Sequence, residues 1–291
     1  MSIHIIIPNY NKQKFIKKTV ESVVNQSYQD WILTIVDNNS EDKSVTIIQK
    51  AFPKLIKQKK INIICHQKFV SQGQNWNRCL KVIGNHKYYK ILCSDDTLAK
   101  DHIKNAIKCL DSSDEKIFAY ACNIFYINEM DSVIGQRKYG FYGLEFWLSL
   151  FFRNMIGTPS STVMKTEFYN NYKFTEVPYI GDLLVYMNYY LEKKRVFFSK
   201  HYEVNFRISS FSDTNLNYGT QNMLIGRKYL RKNIIHKLQI NYIFKNLLKI
   251  AHILISVFEI IFFTARQLIF KFNFSKKNKK LITDPLNDTN P

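Results

Sequence analysis

The chain has 291 residues, 46% of them hydrophobic, so it can bury a substantial core as one large domain or as a domain with an appendage, and a disordered chain is excluded. Its formal charge is +19, yet residues 227–280 alone hold 13 Lys and Arg against the single acid Glu259, so the charge belongs mainly to the C-terminal tail. Five cysteines, odd in number and without a CxxC pair, suggest neither a disulfide framework nor a zinc site and fit a reducing cytoplasm.

In chain order, the opening MSIHIIIPNYN carries no basic leader and breaks at Pro8, which predicts a buried strand and not a secretory signal. Apolar, β-branched runs recur at 3–8, 31–36, 61–65 and 88–93. Between the first two, Phe15, Ile16, Thr19, Val20, Val23 and Val24 keep helical spacing, and after the fourth Ile103, Ala106, Ile107 and Leu110 do the same. Near-continuous apolar strands alternating with helices imply an α/β protein with a Rossmann-like, mostly parallel sheet covered on both faces. Beyond residue 111 the pattern loosens: a strand at 117–125, helices near 142–152 and 182–192, and strand-like RVFF and VNF.

Ligands of such sheets sit beyond the carboxyl ends of the strands. There the sequence places Asn9 and Asn11, then Asp37 with Asn38 and Asn39, then SQGQNWN, then Asp95 and Asp96. Two adjacent carboxylates repel unless a cation lies between them, and a hard divalent ion with oxygen ligands is the usual remedy. Helix capping competes with that reading, since Ser94 or an Asp ahead of TLAKDHIKNAI could satisfy free amides, and Asp37 could cap the helix near 42–50.

Three stretches, IIIPNYNKQKFIKKTVESVVNQSYQDWILTIVDNNSEDKS, GQNWNRCL and YYKILCSDDTL, together resemble the N-terminal half of the family 2 glycosyltransferases, inverting enzymes with a GT-A fold. The resemblance runs over residues 3–110, with weaker echoes to about 210. It implies a catalytic domain over 1–215, divided into a nucleotide half (1–110) and an acceptor half (111–215). It also implies a nucleotide-sugar donor, UDP-linked by preference, and Mg²⁺ or Mn²⁺ as cofactor. Pro8, Tyr10 and Asn11 would shape the loop around the nucleotide, with Asn39 and Gly73 beside it, and Asp37 would accept the N–H of a uracil-like base. Asp95 would face the ribose or the metal, Asp96 would hold the metal against the diphosphate, and Arg78 would either contact those phosphates or lie solvated on its helix. The pattern departs from the family at Cys93, where many relatives carry a further acid, and at Ser209, where a histidine is expected two residues after Arg207. Arg207 remains a candidate phosphate contact.

An inverting transfer needs a base to take the acceptor's proton. The resemblance puts an acid at the start of a helix in the second half, and PYIGDLLVYMNYYLEKK offers Asp182 behind Pro178 and Gly181, with Glu176 in reserve and a plain N-cap as the competing role. In NMIGTPSSTVMK, Gly157 and Pro159 would set a turn, and Ser160 and Ser161 would either touch sugar hydroxyls or simply lead into a buried strand.

Residues 236–272 contain no Gly or Pro and read as one long helix, within a helical basic tail at 216–275; residues 276–291 read as disordered. Lys245, Lys249, His252, Ser256, Glu259 and Arg266 fall on a narrow polar stripe in an otherwise apolar arc. The longest charge-free stretch, Ile250 to Phe258, is short of the ~20 residues of a membrane span. Two roles remain: lying on an anionic membrane surface through residues 236–280, with Lys271, Lys276, Lys277, Lys279 and Lys280 meeting headgroups, or packing on the catalytic domain or another subunit. The expected enzyme is a peripheral protein of the inner face of the cell membrane, acting on a glycan or lipid-linked saccharide in polysaccharide biosynthesis.

Rival classes fit less well. A dehydrogenase needs a GxGxxG loop after its first strand, and PNYNKQKF has no glycine. A receiver domain would carry its acidic pair after the first strand, not the fourth. Nucleic-acid binding lacks aromatics interleaved with Arg, and a noncatalytic scaffold stays open as an alternative.

Overall fold

The computed structural model describes residues 2–141, 143–168, 172–177, 180–209, 221–259 and 261. Pro178, Arg266, the five lysines from Lys271 to Lys280 and the proposed boundary at 215 lie outside the described residues. Four strands, β1 (Ile3–Asn9), β2 (Trp31–Asp37), β3 (Ile61–Cys65) and β4 (Tyr88–Ile91), form the parallel half of a nine-stranded sheet. They coincide with the four apolar runs, and β1 is buried along its whole length. The connections carry α1 (Ile16–Val24), α2 (Ser44–Ala51), α3 (Pro53–Lys57) and α4 (Gln72–Leu80), and a two-residue β5 (Thr97–Leu98) leads to α5 (His102–Asp111).

The second half continues the same sheet. β6 (Ile117–Ile127) turns back through β7 (Val133–Arg137), α6 (Glu145–Phe151) follows, β8 (Thr162–Lys165) pairs antiparallel with both β4 and β6, and α7 (Gly181–Leu191) precedes β9 (Arg195–Arg207). The order is β3-β2-β1-β4-β8-β6-β9-β5, with β7 on β6. RVFF and VNF are not two strands but the ends of the single 13-residue β9, because β6 offers a parallel partner along its whole length. Two apolar clusters, one on each face, hold the layers together; one centres on Ile5, Ile35, Val20 and Ile103, the other on Phe118, Trp76, Tyr186 and Ile234.

The tail differs from the expected single helix. α8 (Gln221–Lys237) ends at Lys237, and a second helix occupies residues 242–259. The break has a local cause: the Asn241 side chain accepts the amides of Ile243 and Phe244, starting a new helix, and Lys245 Nζ caps the old one by donating to the carbonyls of His236 and Leu238. The polar stripe faces α8. There Arg231, completely buried, donates to His252 Nδ1 (3.0 Å), Ser256 Oγ (3.1 Å) and Glu259 Oε2 (2.6 Å). The apolar arc, including Phe244, Leu247, Ile250, Leu254, Val257 and Phe258, is left exposed. Among the described residues no helix is long and apolar enough to cross a membrane.

Candidate active site

A cleft of about 1660 Å³ opens at the carboxyl ends of β1, β2 and β4 and is walled on its far side by β7, α6, α7 and α8. That exceeds the ~300–1,000 Å³ of a typical small-molecule pocket. It leaves room for two substrates side by side.

The acidic pair lies in the turn after β4. Neither carboxylate caps a helix, because β5 intervenes and α5 starts only at His102, behind Asp101. Instead Asp96 Oδ1 accepts the backbone N–H of Arg207 at 2.8 Å, while Asp96 Oδ2 is buried with no partner. Burial and the adjacent charge of Asp95 hold the Asp96 carboxyl well above its usual range. Asp95 faces the cleft, and its Oδ2 takes the Lys12 ammonium at 2.7 Å. A buried carboxylate oxygen without a donor is costly in any protonation state. A divalent cation ligated by Asp95 and Asp96 would relieve it, so the oxygen-only donor set fits Mg²⁺ or Mn²⁺.

Arg207, the candidate phosphate contact, lies buried at the cleft wall. Its guanidinium lies over the Phe15 ring and is spent on the carbonyls of Asp95 (2.9 Å) and Asn128 (2.6 Å) and on Asp131. It therefore braces the acidic turn from below. Ser160, buried, accepts the Cys93 N–H at 3.0 Å, and Ser161 closes on Thr158 across its own turn. Both serines support the site and are not placed to touch a sugar. Beneath them Lys90, fully buried and pushed down to about 8 by desolvation, donates to the carbonyls of Ser160 and Thr162.

The first two loops are tied to each other. Asn11 and Asn39 both adopt left-handed backbone, with φ of 50° and 64°, a conformation that asparagine tolerates. Asn11 Oδ1 accepts the amides of Glu41 and Asp42, so this side chain shapes the loop. Asp37 accepts from Asn9 (2.7 Å) and from the amide and hydroxyl of Ser40 (2.9 and 2.6 Å). It does not cap α2, whose first amide goes to Asp42. Pro8 and Tyr10 line the cleft, and Tyr10 packs on Phe69 with ring centroids 4.7 Å apart and both rings well exposed. Phe69 was not singled out in the sequence; only its place between a strand and the SQGQNWN helix hinted at it. Arg78 bonds Asn38 Oδ1 and the Lys68 carbonyl, holding the loop that carries Phe69. Gly73 lies where a Cβ would come within 2.3 Å of the Thr175 carbonyl, so the 172–177 segment crosses directly over α4.

Asp182 enters from the opposite wall. It stands in the first turn of α7, behind Ile180 at the cap position, and lines the cleft half-buried. Desolvation lifts its carboxyl to about 6, against the amides of the helix start and the Arg137 charge. Its charge is felt at Cys93, two residues before the acidic pair. Glu176, the reserve candidate, is exposed and engaged with Gln74 (2.7 Å) and Ser71 (3.3 Å). It fastens the segment over Gly73. A separate buried set, His102, Cys122 and Glu203, has ligand atoms within 4.8 Å of one another, but Glu203 already engages His102, Tyr120 (2.6 Å) and Asn105 (2.7 Å), and His102 is pushed down to about 4.

Residues 4–173 match Glycosyl transferase family 2. The chain belongs to that family. Among curated relatives it is 33% identical over 133 residues to the Escherichia coli UDP-Glc:alpha-D-GlcNAc-diphosphoundecaprenol beta-1,3-glucosyltransferase WfaP, covering 45% of this chain and 49% of that protein. It is 22% identical over 199 residues to the Campylobacter jejuni GalNAc(5)-diNAcBac-PP-undecaprenol beta-1,3-glucosyltransferase, covering 66% and 60%. The chain thus spans about half to three fifths of the length of these relatives. Among solved structures, S. aureus TarS 1-349 in complex with UDP superposes with a TM-score of 0.61 at 18% identity, over 85% of this chain and 69% of that one. The Pyrobaculum calidifontis mannosyltransferase PcManGT, in complex with GDP-Man and Mn²⁺, superposes at 0.62 and 14% identity, over 90% and 75%. These likenesses establish the GT-A-type α/β fold.

Proposed function

We propose that this family 2 glycosyltransferase moves a sugar from a nucleotide donor, UDP-linked by preference, to a glycan or lipid-linked saccharide with inversion at the anomeric carbon. The observation that carries the reading is the meeting, across one cleft, of a braced acidic pair with an orphaned oxygen and a half-buried carboxylate whose pKa is lifted to about 6. The E. coli and C. jejuni relatives, named for undecaprenol-linked acceptors, favour a lipid-linked one.

In this account the base of the nucleotide rests on Tyr10 and Phe69, whose exposed faces offer a stacking platform. Asp37, held in its loop by Asn9 and Ser40, keeps acceptor capacity on Oδ2 and would take the N–H of a uracil-like base. Asp95 and Asp96 would hold Mg²⁺ or Mn²⁺, which when bound neutralises charge building on the leaving diphosphate. Arg207 keeps the acidic turn in place through Asp96 Oδ1 and the Asp95 carbonyl, and Ser160 steadies it through the Cys93 N–H. Asp182 takes the proton of the acceptor hydroxyl, and a pKa near the working pH suits a group that must be ionised beforehand yet basic enough to accept it. Residues 1–110 then serve as the nucleotide half and 111–209 supply the acceptor wall.

The exposed arc of the 242–259 helix also favours the inner face of an anionic membrane over a second packing contact within the chain, since its polar stripe is already satisfied by Arg231. Vesicle flotation of the full chain tests this: binding to phosphatidylglycerol vesicles is expected, and no binding with or without anionic lipid would refute it. For the activity, a panel of nucleotide sugars is screened for thermal stabilisation with and without Mn²⁺. A shift with a UDP-sugar that requires the ion supports the reading, whereas a shift with NAD and none with any nucleotide sugar removes it.

A further inference from the structure

We infer that Lys12 is a resident counter-cation of the acidic turn, which competes with the divalent ion for Asp95 and turns to the donor's diphosphate when the ion binds. This rests on the nucleotide-donor reading above. Lys12 sits in the loop after β1, with its ammonium 2.7 Å from Asp95 Oδ2, and both side chains are mostly buried at the cleft wall. Its backbone is fixed: the N–H donates to Ser44 Oγ at 3.0 Å, and the carbonyl accepts the amides of Phe15 and Ile16, each at 2.9 Å. The ammonium therefore swings from a rigid base within reach of whatever occupies the turn.

Three neighbouring cations are committed elsewhere. Arg207 is spent on carbonyls and Asp131, Lys18 pairs with Asp131, and Lys90 is buried against Ser160 and Thr162. Asp96 keeps one oxygen on the Arg207 amide and leaves the other orphaned. Cys93 and Ser209 stand where a third acid and a histidine would enrich the ligand set. With only two carboxylates in the turn, one of them already neutralised, the charge balance is set by Lys12 to an unusual degree. An ammonium and a divalent ion on the same carboxylate repel, and the repulsion is only partly screened at a half-buried site. Displaced from Asp95, the ammonium meets the negative diphosphate in the same cleft.

The test uses the full chain as wild type, Lys12→Met and Lys12→Arg, with free Mn²⁺ counted by electron paramagnetic resonance and UDP binding followed by calorimetry in EDTA. Lys12→Met is expected to bind Mn²⁺ about tenfold more tightly than wild type in the absence of UDP, and to bind UDP about tenfold more weakly in EDTA. Lys12→Arg keeps the ion pair and should track wild type in both. A merely structural lysine would not tighten metal binding when removed. Equal or weaker Mn²⁺ binding in Lys12→Met overturns the competition. Tighter Mn²⁺ binding with unchanged UDP affinity supports the competition and overturns the transfer to the diphosphate. If neither protein binds Mn²⁺ even with UDP present, the acidic turn is not a cation site and the inference falls with that reading, whereas a failure confined to Lys12→Met leaves the reading intact.

Discussion

Replacing Asp182 by Asn separates chemistry from architecture, because the two are expected to move in opposite directions. The carboxyl is lifted from 3.8 to about 6 by burial. Between those values the unfolded chain has released its proton and the folded chain has not, so the folded state binds more protons and stability falls as pH rises through the window. Above about 6 the cost is constant. At 1.36 kcal/mol per unit the shift corresponds to at most about 3 kcal/mol, and since Asp182 opens on a wet cleft a figure of about 1–2 kcal/mol is the more realistic one. The amide has nothing to ionise. Asp182→Asn should therefore melt a few degrees above wild type at pH 7.5, roughly 2–4 °C per kcal/mol, and the two should converge near pH 4. Transfer, measured in single turnover with saturating donor, should fall by about 10²–10⁴-fold, while UDP affinity stays within about twofold. The wild-type rate should climb with pH through about 6 and then level. Near-full turnover in the variant, or a wild-type profile flat across pH 5–7, would refute the assignment of the base.

Three further outcomes follow from the geometry. Phe69→Ala removes half of the aromatic platform that Tyr10 completes, and should weaken UDP binding by about 1–3 kcal/mol, roughly five- to 150-fold in Kd by calorimetry. Gly73→Ala drives a Cβ against the Thr175 carbonyl, so α4 or the 172–177 segment must shift; about 1–3 kcal/mol of stability should be lost in urea unfolding, with donor affinity reduced alongside. Arg231→Met leaves Glu259 partly buried without its strongest partner, and should cost about 3 kcal/mol and loosen the 242–259 helix, seen as faster amide exchange there.

The parallel half of the sheet was legible because its strands are short, mostly apolar runs, from the fully buried IHIIIPN of β1 to the YYKI of β4, and the loops after them carried the polar clusters. The acidic pair could be located but not interpreted locally. What removes the helix-cap role is Arg207, 111 positions further on, whose N–H donates to Asp96, together with a two-residue β5 too short to announce itself. Arg207 and Ser160 illustrate the same limit. Arg207 was a candidate phosphate contact and Ser160 either a sugar contact or part of a turn into a buried strand; in the structure both bond within the protein, because hydrogen-bonding capacity is visible in a sequence and its direction is not. The tail shows a third case: helical periodicity ran unbroken through Asn241, and only the capping bonds made by that side chain reveal the corner. The polar stripe was real, but its partner Arg231 lies on another helix.

If Asp95 and Asp96 hold a divalent ion against the donor's diphosphate, titrating UDP into wild type and Asp96→Asn with and without Mn²⁺ will separate the two proteins. Mn²⁺ should tighten UDP binding to the wild type and have no such effect on the variant, in which the fold survives because the Asn side-chain carbonyl can still accept the Arg207 amide. An identical Mn²⁺ response in both proteins, or none in the wild type, would contradict that role for the pair.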